Sequence, residues 1–372
     1  MPRGRALALL LVAFLVIAAE PANASGDGGA PTERRARMDT PAVEPPIELT
    51  EVLYAVPPNY DAFVQWWQQL EAQYPNFLRV WSPNQAYGLG QVPSSTAHPP
   101  YDLYYVRLTN ESRPMNRPEV FFMGNPHGDE RTGPIGAYWF VHWLLRNAAN
   151  GTSAYGDWLS WILDHREVYF AISHNPDGFD RIRRGDHLGR DLNREADHDG
   201  PEPGAGWTSV FQSVQGRTVV RFMNEHQIRA GMDFHGGIRG LLYPWGSTRG
   251  TIAGVSPVTG RTWTYAPPDF GFFDVFGHRM GDFIGDFGGN YGAGNVGTPP
   301  GIVSYEAAGT YLAWAYGADT AANPAEAPYV DFDGTYPGAG ALWITPEISF
   351  VKNPVANTYG GDDTLGWGID VR

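Results

Sequence analysis

The stretch that decides the fold is VFFMGNPHGDE, residues 120–130. Its four apolar residues, Val120–Met123, predict a short buried strand, and the Gly-Asn-Pro that follows predicts a turn. His127 and Glu130 come directly after this turn. In a strand-to-helix turn, the side chains of residues i and i+3 can face one point, so the two could share a metal ion. Taken alone, the pair is equally well explained as a chance surface pair.

Three further apolar stretches end abruptly in polar residues, and segments with helical spacing lie between them. This alternation predicts an α/β fold, a single domain whose mixed, largely parallel twisted central sheet is flanked by helices on both faces. Polar side chains that follow the strands should then converge on one edge of the sheet. The strand stretches are Val168–Ile172 (before HNPDG), Ala230–Phe234 (before His235) and Leu342–Thr345 (before Pro346-Glu347), with Tyr101–Leu108 as a further strand; the helical ones are Tyr60–Tyr74, Ile135–Leu145 and Thr218–His226.

The N-terminal residues lie outside this core. A basic start is followed by the apolar run Ala6–Ala19 and by the small-residue site Ala22-Asn23-Ala24. The run is too short for a good membrane span, so we expect residues 1–24 to be a signal peptide; an uncleaved anchor is the alternative. Residues 25–47 are rich in Gly, Pro, Ala and Arg, which predicts a linker or short pro-segment, and residues 48–372 form the folded domain.

Composition restricts the function classes. The 372 residues are 42% hydrophobic and 18% charged, which is typical of a globular protein. A net charge of −14 argues against nucleic acid as a partner, because phosphate neutralisation requires Lys and Arg. The absence of cysteine excludes disulfides, a lipoprotein anchor and thiolate ligands. For a secreted protein of this size, it indicates a bacterial source.

A second histidine at a strand end, His235, strengthens the metal hypothesis. Two histidines and one carboxylate leave a fourth position open, which is the arrangement of catalytic zinc. Zinc would lower the pKa of a water molecule and polarise a carbonyl group. Such a site needs a general base, and Glu347, at another strand end, is the candidate. The alternative for Glu347 is a solvated carboxylate.

The segment Asp191-Leu192-Asn193-Arg194 indicates a different chemistry. A guanidinium beside an amide suits the capture of a carboxylate. Further arginines precede it at residues 181–184. The alternative is that these arginines pair with Asp180, Asp186 and Asp191.

Six motifs in this order resemble the zinc metallocarboxypeptidase family of the pancreatic carboxypeptidase A type. His-x-x-Glu is followed by a third histidine, and Glu130 and His235 are 105 residues apart (235 − 130). The resemblance covers roughly residues 48–352. The other motifs are Asn175-Pro-Asp-Gly178, Asp191-Leu-Asn-Arg194, Leu242-Tyr-Pro244 after the third histidine, Tyr305-Glu-Ala-Ala-Gly309 through Tyr316, and Thr345-Pro-Glu-Ile-Ser349.

The resemblance implies one zinc ion per chain, bound by His127, Glu130 and His235. It implies that Glu347 activates the attacking water and passes its proton to the leaving amine. Arg184, rather than Arg183, would stabilise the oxyanion, because it stands nine residues before the Asn-Arg pair, as in short bacterial relatives.

The resemblance also implies how substrate is held. Asn193 and Arg194 would grip its terminal carboxylate, Tyr305 would close over it, and Asp191 would orient His127. Leu312, seven residues after Tyr305, would lie at the base of the specificity pocket and favour apolar or aromatic C-terminal residues.

Some positions depart from the family pattern. The family's Ser-Tyr after the third histidine is Gly236-Gly237 here, the Asp before Trp314 is Ala313, and residues 318–341 form a longer stretch than usual. Only 25 residues (372 − 347) follow Glu347, fewer than the family's C-terminal helix requires, so the natural chain could continue.

These observations favour a secreted bacterial zinc exopeptidase, a monomer without a membrane span, that acts on peptide or protein C-termini. Two alternatives stay open. One is a zinc amidase or deacylase that acts on cell-wall peptides or acylated amino acids. The other is an inactive relative that binds peptide or glycan.

Overall fold

The computed structural model describes residues 55–114, 116–150, 156–196, 201–247, 252–284, 295–317 and 338–354. The predicted signal peptide and linker, and most of the 318–341 stretch, lie outside the described residues. The helices are α1 (Tyr60–Gln73), α2 (Pro83–Ala86), α3 (Thr132–Asn150), α4 (Gly156–His165), α5 (Pro176–Arg181), α6 (Val214–Glu225), α7 (Phe270–Ile284), α8 (Pro299–Ile302) and α9 (Tyr311–Tyr316), with a 3-10 turn at Leu192–Arg194. The strands are β1 (Leu78–Trp81), β2 (Tyr105–Leu108), β3 (Glu119–Gly124), β4 (Glu167–Ala171), β5 (Ile228–Phe234), β6 (Arg239–Leu242), β7 (Ile252–Val255), β8 (Thr262–Ala266), β9 (Val296–Gly297) and β10 (Leu342–Ile348).

Eight of these strands form one mixed sheet in the order β1-β2-β4-β3-β5-β10-β6-β9. The four central strands, β4, β3, β5 and β10, are parallel to one another. The pairs β1–β2, β2–β4 and β10–β6 are antiparallel. The predicted mixed, largely parallel sheet is therefore confirmed, and its parallel centre brings the carboxyl ends of four strands to one edge.

Alternate residues of the central strands enter two separate hydrophobic cores, one on each face of the sheet. In β3, Val120 and Phe122 belong to one core and Phe121 and Met123 to the other. Helices α1, α3 and α4 contribute to the first core, and α6 and α9 contribute to the second. A strand that is buried on both faces has to be apolar throughout, which explains the unbroken apolar runs in the sequence.

Two strands differ from their predicted limits. Strand β2 begins at Tyr105 rather than at Tyr101. Tyr101 instead forms an isolated bridge with Val92. Strand β10 does not end before Pro346 but continues to Ile348. The Pro346 carbonyl accepts from His235 N at 2.9 Å, and Ile348 N donates to the His235 carbonyl at 3.1 Å. Strand pairing therefore continues past the proline.

Across the described parts of the chain, every helix is too short or insufficiently apolar to cross a bilayer.

Candidate active site and metal centre

Three side chains that follow β3 and β5 meet in one buried cluster. His127 Nδ1 lies 3.0 Å from Glu130 Oε1 and 3.1 Å from His235 Nδ1. His235 Nδ1 lies 2.9 Å from Glu130 Oε2. Among the described residues, this is the one group of three His, Cys, Asp or Glu side chains whose donor atoms are close enough to share a metal ion.

The cluster fits zinc. Tetrahedral Zn²⁺ with bonds of about 2.0–2.1 Å holds its ligand atoms roughly 3.3 Å apart, close to the spacing of these donors. Burial would raise the pKa of Glu130, but the charge and hydrogen bonds of His127 and His235 hold it well below its usual value. The carboxylate is therefore ionised, as a ligand for a cation must be.

The turn between β3 and α3 is fixed by tight packing. Asn125 adopts a left-handed conformation (φ 63°), and its Nδ2 donates to the His127 carbonyl at 2.7 Å. Gly128 packs so closely that a Cβ there would lie 2.3 Å from Gly178 Cα. Gly128 N also donates to the Arg184 carbonyl at 3.0 Å. The Asn-Pro-Asp-Gly motif thus supports the metal-binding turn by contact with its backbone.

Each histidine of the cluster has an aspartate beside its outer nitrogen. His127 Nε2 lies 3.2 Å from Asp191 Oδ1, and His235 Nε2 lies 3.2 Å from Asp233 Oδ2. Such carboxylates fix the orientation of a metal-binding imidazole. Asp233 is fully buried and also accepts from Trp343 Nε1 at 2.9 Å. Both histidines can therefore present Nδ1 to a metal.

Glu347 lies beside this cluster. It pairs with His235 across neighbouring parallel strands, so both side chains leave the same face of the sheet. Burial raises the pKa of Glu347 to about 7; His235 opposes this rise, and the charge of Glu130 adds to it. A carboxyl group whose pKa lies near neutrality can both accept and return a proton.

Arg184 reaches the cluster from the loop after α5. Its Nε and Nη2 donate to Asp191 Oδ2 at 2.9 and 2.7 Å, and its Nη1 lies 3.2 Å from His127 Nδ1. Burial would lower the pKa of this guanidinium, but Asp191 raises it. A fixed cation next to the metal ligands is suited to stabilise a developing negative charge.

Asn193 and Arg194 are both buried in the 3-10 turn. Asn193 Nδ2 lies 3.2 Å from His235 Nε2, and its Oδ1 accepts from Tyr311 N at 3.1 Å. Arg194 Nη1 donates to the Asn193 carbonyl at 2.7 Å, and Arg194 Nε forms an ion pair with Glu202. The arginine predicted to bind a substrate carboxylate thus already contacts a carboxylate of its own chain.

The remaining two predicted site residues differ in exposure. Tyr305 is 53% exposed and near enough to Arg184 to interact with it electrostatically. Leu312 is buried on α9 and belongs to the second hydrophobic core. Tyr305 is thus available to a bound molecule, whereas Leu312 is enclosed by the second core.

The family model described as "Zinc carboxypeptidase" matches residues 63–329, which is most of the chain. The chain belongs to the zinc carboxypeptidase family. Zinc is accordingly the cofactor, and His127, Glu130 and His235 are the candidate ligands.

Individual relatives of this zinc carboxypeptidase are distant. Carboxypeptidase D of Mus musculus is 28% identical over 148 residues, and that of Anas platyrhynchos is 27% identical over 150 residues. Each match covers 35% of this chain and about a tenth of the relative's own length.

Solved structures show the same fold. Thrombin activatable fibrinolysis inhibitor is similar at a TM-score of 0.53 and 15% identity, over 78% of this chain and 65% of that chain. Carboxypeptidase A of Helicoverpa armigera is similar at a TM-score of 0.52 and 16% identity, over 80% of this chain and 66% of that chain.

Sequence reasoning missed three residues of this zinc carboxypeptidase site. Asp233 could have been found, because it precedes His235 by two positions in a strand and therefore shares its face. Glu202, which pairs with Arg194, gave no local signal. Lys352 Nζ donates to Glu130 Oε1 at 2.8 Å, and its only signal was that it is the sole lysine of the chain.

Proposed function

We propose that this zinc carboxypeptidase is an exopeptidase that hydrolyses the C-terminal peptide bond of peptides. The observation that carries the proposal is that Glu347 and Asn193 both lie against the same metal ligand, His235. Glu347 pairs with it in the sheet, and Asn193 Nδ2 lies 3.2 Å from its Nε2. Glu347 can accept and return a proton, and Asn193 lies in a turn that can bind a carboxylate. Both therefore lie next to the three proposed metal ligands.

Each residue has a role in the proposed reaction. Zinc, when bound, lowers the pKa of a water molecule and polarises the scissile carbonyl. Glu347 takes a proton from the attacking water and returns it to the leaving amine. Arg184 faces the oxyanion of the tetrahedral intermediate. Asn193 and Arg194 hold the terminal carboxylate, and Tyr305 closes over it.

The names of the relatives agree with this proposal, since carboxypeptidases A and D are named for removal of C-terminal residues. Their low identity and partial coverage do not specify a substrate.

One observation favours a second candidate, a zinc amidase or deacylase. Arg194 is already paired with Glu202, which suits a substrate without a terminal carboxylate. In that enzyme the metal ligands and Glu347 would keep their roles, and the Asn193–Arg194 turn would support the fold.

Matched peptides with free and amidated C-termini distinguish the two candidates. An exopeptidase should contain about one zinc per chain and lose most of its kcat/KM on the amide, because a charge-assisted hydrogen bond contributes about 1.5–3 kcal/mol. Equal rates on both peptides would reject the exopeptidase and support the amidase.

We further propose that the enzyme prefers apolar or aromatic C-terminal residues. Leu312 is buried and aliphatic, and a Lys or Arg head placed against it would lose hydration without gaining a partner. Values of kcat/KM on peptides that end in Phe, Leu, Lys or Arg test this; a tenfold preference for Lys or Arg would contradict it.

Export and a monomeric state complete the proposal. The N-terminal sequence of residues 1–24 supports export from a bacterial cell. Cell fractionation and N-terminal sequencing of the mature protein test export, and light scattering tests the monomer. Retention of residues 1–24 or a dimeric mass would contradict the respective point.

A further inference from the structure

Lys352, the only lysine in the chain, lies against a metal ligand. Its Nζ donates to Glu130 Oε1 at 2.8 Å and lies 3.4 Å from Asp129 Oδ2. The ammonium group thus contacts two consecutive acidic residues of the metal-binding turn. The other oxygen of Glu130, Oε2, faces His235 Nδ1 at 2.9 Å.

The backbone of Lys352 is attached to the same turn. The Thr132 hydroxyl donates to the Val351 carbonyl at 2.6 Å, and Thr132 N donates to the Lys352 carbonyl at 3.3 Å. Thr132 is the first residue of α3, two positions after Glu130. The base of the lysine side chain is therefore held at a fixed distance from the carboxylate that its end contacts.

A glycine provides the space for this side chain. Gly237 has a φ of +121°, and a Cβ at this position would lie 2.8 Å from Lys352 Cε. A Cβ at 237 would therefore require the end of the lysine side chain, which carries the group that contacts Glu130, to move.

We propose that Lys352 is a positioning residue of the metal centre, which holds the Glu130 carboxylate in the orientation that faces the two histidines, and that Gly237 provides the space for it. The inference rests on the zinc site and is independent of the substrate. If Lys352 acted only through its charge, its removal would have the opposite effect. Removing a positive charge near a cation site tightens the binding of the cation.

Zinc affinity separates these two effects. Lys352→Met keeps the side chain as far as Cε and removes the ammonium group, and Lys352→Arg keeps the charge. We expect Lys352→Met to weaken zinc binding about tenfold or more, as is usual when a partner of a metal ligand is lost, and Lys352→Arg to remain nearer the wild type. Competition with a chromogenic chelator measures the Kd, and the visible spectrum of the Co²⁺-substituted protein reports ligand geometry. Unchanged or tighter zinc binding by Lys352→Met would overturn the proposal.

A double-mutant cycle tests the role of Gly237. Gly237→Ala should also weaken zinc binding, but should add little in the Lys352→Met background, because both changes act through one side chain. Gly260→Ala is the control for strain, since Gly260 also has a positive φ (+71°) but open space around it. If Gly237→Ala weakens zinc binding equally in both backgrounds, its effect does not depend on Lys352. The proposal that Gly237 provides space for Lys352 would then be wrong. Thermal unfolding confirms that each variant is folded.

Discussion

Arg184 and Asp191 form a two-point ion pair, in which Nε and Nη2 of the arginine donate to Oδ2 of the aspartate at 2.9 and 2.7 Å. The other oxygen of Asp191 lies 3.2 Å from His127 Nε2. One carboxylate therefore connects a metal ligand to the residue that we propose stabilises the oxyanion. A change at this position should affect metal binding and catalysis together.

The first prediction concerns this carboxylate. Asp191→Asn keeps the shape of the side chain and removes its charge, so His127 and Arg184 both lose a negatively charged partner. We expect the zinc Kd to rise about 10–100-fold. We also expect kcat/KM to stay below that of the wild type when the variant is saturated with zinc. Chelator competition and assays at saturating zinc measure the two effects separately.

Asp233→Asn is the matched comparison, because Asp233 contacts His235. It should weaken zinc binding to a similar degree and leave kcat at saturating zinc closer to that of the wild type. Normal zinc affinity in Asp191→Asn would show that this carboxylate does not orient His127.

Local sequence signals predicted most of the fold. An apolar run followed by turn residues predicted each of β3, β4 and β5. The ends of β3 and β5 then placed His127 and His235 at one edge of the sheet. The continuation of β10 through Pro346 was not predicted, because it depends on backbone bonds to His235. Such bonds join residues that are more than a hundred positions apart in the chain.

The contacts around the site were harder to predict for the same reason. Spacing and the family resemblance identified the metal ligands, which are close in sequence or follow recognisable strands. The pairing of Arg194 with Glu202, and of Glu130 with Lys352, is decided by how loops pack after the sheet has formed. A single sequence contains no periodicity that reports such ion pairs.

The second prediction is that Glu347→Gln retains zinc but loses activity. The amide has nearly the same size as the carboxylate, but it cannot accept the proton from water. General base assistance commonly contributes about 10²–10⁴ in rate, so kcat should fall by at least this range. Metal analysis of the purified variant and kcat on a free-acid peptide test this; near-normal turnover with zinc bound would show that another group is the base.

The third prediction is that Glu202→Gln lowers KM for peptides with a free C-terminus. Glu202 holds the Arg194 guanidinium, so a substrate carboxylate has to displace it. Because a charge-assisted hydrogen bond contributes about 1.5–3 kcal/mol, KM should fall by about tenfold or more, with little change in kcat. Amidated peptides should show no such gain.

Arg194→Met provides the comparison for Glu202→Gln, since it removes the proposed carboxylate-binding group and should raise KM. If Arg194→Met raises KM and Glu202→Gln leaves it unchanged, Glu202 does not compete with substrate. If neither variant alters KM, Arg194 does not bind the terminal carboxylate and the second candidate function gains support.

The fourth prediction concerns Glu195, which follows the 3-10 turn Leu192–Arg194 and is fully buried. It accepts hydrogen bonds from Ser213 N at 3.0 Å and from the Tyr311 hydroxyl at 3.1 Å. Burial raises its pKa to about 7 in spite of these donors. In the unfolded chain a glutamate titrates near about 4.3. Between these two values the folded state binds more protons than the unfolded state, so the free energy of unfolding must fall as the pH rises.

Glu195→Gln should remove this pH dependence. Each pKa unit corresponds to about 1.36 kcal/mol, so between pH 5 and 8 the variant should gain roughly 2–3 kcal/mol relative to the wild type. Urea unfolding of both proteins at the two pH values, with saturating zinc, measures this relative change. The glutamine amide nitrogen cannot accept a hydrogen bond, but this loss is the same at each pH and cancels in the comparison. Parallel pH profiles would show that Glu195 is already ionised in the folded protein at pH 5.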